Sequence, residues 1–207
     1  MSIEFYNEDC MAVMARYPDN HFELAIVDPP YGIGIAAWDS IDMKPSDEYF
    51  IELFRVSNNQ IIWGANYFKL PHSESWICWH KLNGLNKGLG TMSEFELAWT
   101  SHGNKARYLG LTYLGNTEGF TKPTPNYNAT KRIHPTQKPV KLYEWLLANY
   151  AKQGDKILDT HLGSGSSAIA AHYGGFDFVG CELDTDYFNA ASKRFEQATA
   201  QLAMFGV

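Results

Sequence analysis

The stretch KILDTHLGSGSSAIAAHYGGFDFVGCEL, residues 156–183, constrains the fold more than any other part of this chain. KILD is a short apolar run that stops at a glycine-rich loop. SSAIAAHYGG reads as a helix leaving that loop, and FDFVGCEL as a second strand. Two strands joined through a helix pair in parallel, because a parallel pair needs a crossover that a tight hairpin cannot supply. The same alternation runs upstream. FELAIVD (22–28) and QIIW (60–63) have the composition of buried strands. Between them, SDEYFIELFRVS places Tyr49, Phe50, Leu53 and Phe54 at helical spacing, with Ser46 or Asp47 as cap. SWICWH (75–80) and EFELAWT (94–100) read as two more strands. PVKLYEWLLANYAKQG (139–154) reads as a helix with Pro139 at its start and Gly154 past its end, and residues 184–205 as an amphipathic helix. Residues 101–134 show no steady period and read as irregular. The expectation is a single α/β domain over residues 1–207, with a doubly wound, Rossmann-like, mostly parallel sheet.

Ligands of such sheets bind at the carboxyl ends of the strands, where the strand order reverses. KILD comes late in the chain, so its neighbours on one side must come from the N-terminal half. The loop after it, Gly163-x-Gly165-x-x-Ala168, fits a nucleotide-type fingerprint, with Glu182 about 20 residues on to meet a ribose hydroxyl. Asp159, however, ends the strand beside the loop. A pyrophosphate there meets a carboxylate at close range, which is unfavourable. S-adenosylmethionine suits the position better. Loop amides and the helix N-terminus can hold its carboxylate. Asp159 can pair with its ammonium, and Glu182 can accept from its ribose.

A second motif, DPPYGIG, follows FELAIV at residues 28–34. Its chemistry suits methyl transfer to an exocyclic amine, whose lone pair is delocalised into the ring. Acceptors on both N–H hydrogens favour a tetrahedral nitrogen with its lone pair aimed at the methyl. Asp28 supplies one acceptor and the Pro29 carbonyl the other, held still because Pro30 follows. Tyr31 offers a face on which a planar base can stack. A base inside a duplex must be flipped out to reach such a pocket.

Charge and composition narrow the partner. The net charge is −6, but it is unevenly spread. Residues 1–80 carry 4 Lys/Arg against 12 Asp/Glu, a net of −8; residues 81–141 carry 9 against 3, a net of +6; residues 142–207 carry 4 against 8, a net of −4. A basic middle between acidic flanks is what a polyanion-facing surface produces. No apolar run approaches the ~20 residues needed to span a membrane, and no secretory signal is read at the N-terminus. Cys10, Cys78 and Cys181 are scattered, which fits a reducing cytoplasm and argues against a zinc site; no metal is expected.

Taken together, DPPY and LDTHLGSGSSA resemble the motifs of the amino-DNA methyltransferases. DPPY is similar to the family's catalytic motif, Asp28, Pro29, Pro30 and Tyr31. LDTHLGSGSSA is similar to its cofactor loop, and HPTQKPVKLYEWLL (134–147) to the segment before that loop in the β subclass, where the catalytic motif comes first in a circularly permuted order. NEDCMAVM resembles the family's acidic strand end. The resemblance implies the methyltransferase-type sheet with one antiparallel strand. It implies cofactor contacts from Asp9, Cys10, Asp28, Thr136, Lys138, Asp159, His161, Gly163, Ser164, Gly165, Ser166, Glu182 and Leu183. It also places target recognition in a small insertion at about 81–132, with Lys81, Lys87, Lys105, Arg107, Lys131 and Arg132 as DNA contacts. The sequence departs from the pattern at Thr160 and His161, where the family usually has Pro and Phe. The implied activity is methylation of adenine N6 in double-stranded DNA, in the cytoplasm of a prokaryotic or phage-infected cell. Cytosine N4, an RNA or protein amide substrate, and a non-catalytic nucleic-acid-binding module stay open, as does a homodimer.

Overall fold

A computed structural model describes residues 1–34, 39–81, 93–103, 105–111, 133–134 and 136–200, with the backbone of 113–114, 117–118 and 201–205. Eight strands form one sheet: β1 (Ile3–Tyr6), β2 (Phe22–Val27), β3 (Ser57–Trp63), β4 (Trp76–His80), β5 (Phe95–Thr100), β6 (Arg107–Gly110), β9 (Lys156–Asp159) and β10 (Asp177–Cys181). β7 (Tyr113–Leu114) and β8 (Thr117–Glu118) form a separate antiparallel pair. The sheet order is β1-β10-β9-β2-β3-β5-β4-β6. β5 alone among these eight runs against its neighbours. The order reverses between β9 and β2, so the strand before the glycine loop and the strand before DPPY lie side by side.

Among the described residues, five α-helices cover the sheet: α1 (Cys10–Met14), α2 (Asp47–Val56), α3 (Val140–Tyr150), α4 (Ser166–Gly174) and α5 (Thr185–Phe205). β2 shows why its sequence is apolar without a break. Leu24 and Ile26 pack with Leu142, Leu146, Ile169 and Ala191, from α3, α4 and α5. Ala25 and Val27 point the other way, to Val13, Met14, Phe50 and Leu53 of α1 and α2. A strand buried on both faces has no solvated side to make polar. Trp63 and Trp79 fill the first layer edge to face, with ring centroids 6.2 Å apart.

Two expectations need correction. The span read as irregular contains β6, which pairs in parallel with β4 at Ile77↔Arg107 through His80↔Gly110. The helix expected to end just before Gly154 already ends at Tyr150, and Gly154 lies beyond it at φ +91° in a turn closed by the Asp155 amide on the Lys152 carbonyl. Among the described residues, no helix is long and apolar enough to cross a membrane.

Candidate active site

The register Ala25↔Leu158 sets Asp159 level with Ile26, and Asp28 two residues further toward the carboxyl end of the adjacent strand. Both acids therefore stand at the reversal point of the sheet, where such folds bind ligands.

Around Asp28 the polar groups are closely engaged. Its Oδ1 accepts from the Tyr31 hydroxyl at 2.7 Å, and its Oδ2 accepts from the Lys138 ammonium. Burial first, and then the Asp28 charge, push the Tyr31 phenol far up, so it remains a donor. Lys138 is 4% exposed and also faces Glu96 Oε2 at 3.1 Å. Glu96 Oε1 is paired with Lys81 at 2.7 Å. Lys138 further lies over the Trp63 ring, 5.4 Å from its centroid. The loop after Pro30 is tied down by Asp39, which is fully buried. Its Oδ1 accepts from the amides of Tyr31 (2.6 Å) and Gly32 (2.9 Å), and its Oδ2 from that of Ile33 (3.3 Å).

Tyr31 is fixed by its neighbours too. Its ring stacks on Tyr67, centroids 5.0 Å apart and planes 15° apart. Gly64 sits against one ring face: a Cβ there would fall 2.1 Å from Cε1 and 2.5 Å from both Cδ1 and Cζ, a point directly above the ring. The open stacking face expected from the sequence is thus partly used within the protein, and Tyr67, 37% exposed, extends the aromatic surface outward.

The glycine loop turns on left-handed backbone that other residues rarely adopt. Gly163 (φ +51°) and Gly165 (φ +72°) take left-handed backbone, and a Cβ on Gly163 would meet only the His161 carbonyl, at 3.8 Å. Asp159, 2% exposed, accepts from the His161 amide (3.0 Å) and the Ser167 hydroxyl (2.6 Å). Burial raises its carboxyl to about 7, because these two donors only partly replace water. A buried carboxylate in that condition is stabilised by an incoming ammonium. Glu182 bridges the Gly163 amide (2.9 Å) and the Asp184 amide (3.0 Å), and burial pushes its carboxyl up as well. These residues fit S-adenosylmethionine.

The departure at Thr160 and His161 is internally supported. Tyr49 Oη lies 2.6 Å from Thr160 Oγ1, which lies 2.9 Å from His161 Nδ1. Burial lowers His161 to about 4, so its ring is neutral. A hydroxyl pair holds the imidazole where the family places a phenylalanine.

The other expected cofactor residues are distributed as follows. Asp9 caps α1, its Oδ1 accepting from Met11 (2.8 Å) and Ala12 (3.3 Å). The Cys10 thiol is pushed up to about 12, first by burial and then by the Asp9 charge, and is no nucleophile. Thr136 Oγ1 lies 3.1 Å from His134 Nδ1, and the His134 ring rests on Tyr187 with centroids 4.5 Å apart. Leu183 is 57% exposed at the rim. Ser164 and Ser166 are buried. Their hydroxyls lie 3.1 Å apart, and Arg194 donates to the Ser164 carbonyl and the Ser166 hydroxyl, each at 2.8 Å. They brace the loop against α5.

The residues expected to contact DNA are placed as follows. Lys87, Lys131 and Arg132 lie outside the described residues. Lys81 is 5% exposed and held by Glu96, so it is an interior cation and not a phosphate contact. Lys105 and Arg107 are exposed, but they stand at the amino end of β6, the opposite end of the sheet from Asp28. Arg107 donates to Asn149 there at 2.7 Å. Glu96, Asp39, Gly64 and Arg194 were not singled out from the sequence. The available signals were an acid inside the apolar run FELAWT and an acid directly after Trp38.

The sequence matches the model of a DNA methylase family over residues 69–193, a span that includes the HPTQKP segment and the glycine loop and excludes Asp28 to Tyr31. It is 28% identical to the putative methylase YubD of Escherichia coli (strain K12) over 220 residues, covering 97% of this chain and 92% of that protein. The fold is similar to that of M1.HpyAVI, solved as a complex with SAM (TM-score 0.60, 21% identity, 93% of this chain and 99% of that one). It is also similar to the PvuII DNA methyltransferase, described as cytosine-N4-specific (TM-score 0.63, 13% identity, 97% and 91%).

Proposed function

Because the chain belongs to the DNA methylase family, whose model covers more than half of it, we propose that it methylates the N6 amino group of adenine in duplex DNA. Its class is that of the S-adenosylmethionine-dependent DNA methyltransferases, and the cofactor supplies an electrophilic methyl group on a sulfonium. The protein's part is orientation. Asp159 pairs with the cofactor's ammonium, Glu182 accepts from its ribose, and Gly163 leaves room for its carboxylate beside the start of α4. Asp28 accepts one hydrogen of the target amine and the Pro29 carbonyl the other, which turns the nitrogen lone pair toward the methyl group. Tyr31 and Tyr67 form the aromatic wall for a flipped base.

The observation that carries this reading is the placement of Asp28 and Asp159 on adjacent strands at the reversal point. Adenine is preferred because the motif begins with Asp. Cytosine N4 is the second reading, favoured by the fold similarity to an enzyme of that specificity. Two further points belong to the proposal: the β subclass with its permuted order, since β9 follows β2 in the chain yet lies beside it, and target recognition by the segment at about 81–132. Tritiated methyl transfer from the cofactor to duplex DNA, RNA and protein tests it. Label should appear in duplex DNA alone, and Asp28→Ala should abolish transfer with cofactor binding largely kept. Robust DNA methylation by that variant overturns the catalytic assignment.

A further inference from the structure

Each Asp28 oxygen already carries one donor, the Lys138 ammonium on Oδ2 and the Tyr31 hydroxyl on Oδ1, so a target amine must share the carboxylate with a buried cation. Lys138 cannot leave for water, since it is 4% exposed. A buried ammonium that gives up one carboxylate must hold another, or it is left at a large desolvation cost. Among the described residues the ion pairs of Lys138 are with Asp28 and Glu96. Glu96 Oε2 is buried and already ion-paired with Nζ at 3.1 Å, so it stands ready to hold the ammonium more closely when Asp28 lets go. Its other oxygen is fixed by Lys81, which is itself enclosed and lies over the Trp79 ring. The four charges alternate along a row of two buried lysines and two half-buried carboxylates: Lys81, Glu96, Lys138, Asp28. Burial works against the charged form of Glu96, but the two lysines outweigh it and keep its carboxyl below the ordinary range.

We propose that Glu96 is a positioning residue that takes over the Lys138 ammonium, so that Asp28 is released to accept from the target amino group. Lys138 stays protonated throughout and trades one carboxylate for another. Lys81 anchors the receiving carboxylate at the right distance. This inference rests on the reading of Asp28 as the acceptor of the target amine.

The test is a double-mutant cycle in single-turnover methyl transfer to duplex DNA, with cofactor and DNA saturating. Glu96→Gln should slow transfer roughly 10- to 100-fold, the size of effect a misplaced group has at a reacting centre. Cofactor and duplex affinities should change little. In a Lys138→Met background the same substitution should have almost no effect, because no ammonium remains to be moved. Equal losses in both backgrounds, or no loss from Glu96→Gln, overturn the proposal. If Glu96→Gln fails to fold, Glu96→Asp replaces it in the cycle, since it keeps the charge and draws the carboxylate back by one methylene; the same coupling to Lys138 is expected. Asp28→Asn separates the two claims. If it is inactive and the cycle is additive, only the role of Glu96 falls; if it is active, the reading of Asp28 falls too.

Discussion

Lowering the pH should weaken cofactor binding through one carboxyl group, Asp159. It is buried, its two oxygens have one donor each, and its carboxyl is raised to about 7. Only the ionised form pairs with an ammonium. A group with that pKa is about three-quarters ionised at pH 7.5 and about one-tenth ionised at pH 6.0, so the affinity for S-adenosylhomocysteine should fall about eightfold between them. His134 and His161, both lowered to about 4, stay neutral over this range. Glu182 is also pushed up, so a control must isolate Asp159. Titration calorimetry supplies two. Asp159→Asn should bind more weakly with the Asp159 part of the slope gone. Methylthioadenosine, which has no ammonium, should bind with little pH dependence. The unliganded fold responds in the opposite sense: a carboxyl raised above its ordinary 3.8 keeps a proton that the unfolded chain has lost, so this group's contribution to stability declines as the pH rises from 3.8 to about 7. An equally steep slope for methylthioadenosine, or an unchanged one in Asp159→Asn, would refute the pairing.

Two further outcomes follow from the packing around Tyr31. Gly64→Ala forces a left-handed backbone at φ +66° and drives a methyl into the Tyr31 ring. It should cost at least the ~1–2 kcal/mol of the backbone term in a denaturant melt, and slow methyl transfer with cofactor affinity kept. Asp39→Ala leaves the amides of Tyr31, Gly32 and Ile33 without their common acceptor. It should lower stability by about 1–3 kcal/mol or more and reduce the transfer rate; a variant with unchanged melting and rate would contradict the role given to Asp39.

The parts of this molecule legible in its sequence are those fixed by local pattern. β2 is an unbroken apolar run because both its faces are covered, and the glycine loop announces its strand, turn and helix within a dozen residues. Asp28 and Asp159 could be singled out because each stands beside such a breaker. What was missed depends on pairing between distant segments. Arg107–Gly110 has too little periodicity to show as a strand, and only the register with β4 makes it one. Lys81 looks like a solvated charge, yet its partner Glu96 stands on the neighbouring strand. Lys105 and Arg107 look basic and accessible, and they are, but the direction of β6 puts them at the wrong end of the sheet. The Thr160–His161 departure looks like a weakened motif until Tyr49, 111 residues away, is seen to complete its hydrogen-bond chain.

The central claim is that Asp28 presents an acceptor to an adenine amino group in DNA. It is tested most directly by mass spectrometry of nucleosides digested from duplex DNA after incubation with the protein and methyl-labelled S-adenosylmethionine. The account predicts labelled N6-methyldeoxyadenosine with the wild-type chain and none with Asp28→Ala. Labelled N4-methyldeoxycytidine in its place, or label that persists in Asp28→Ala, would contradict it.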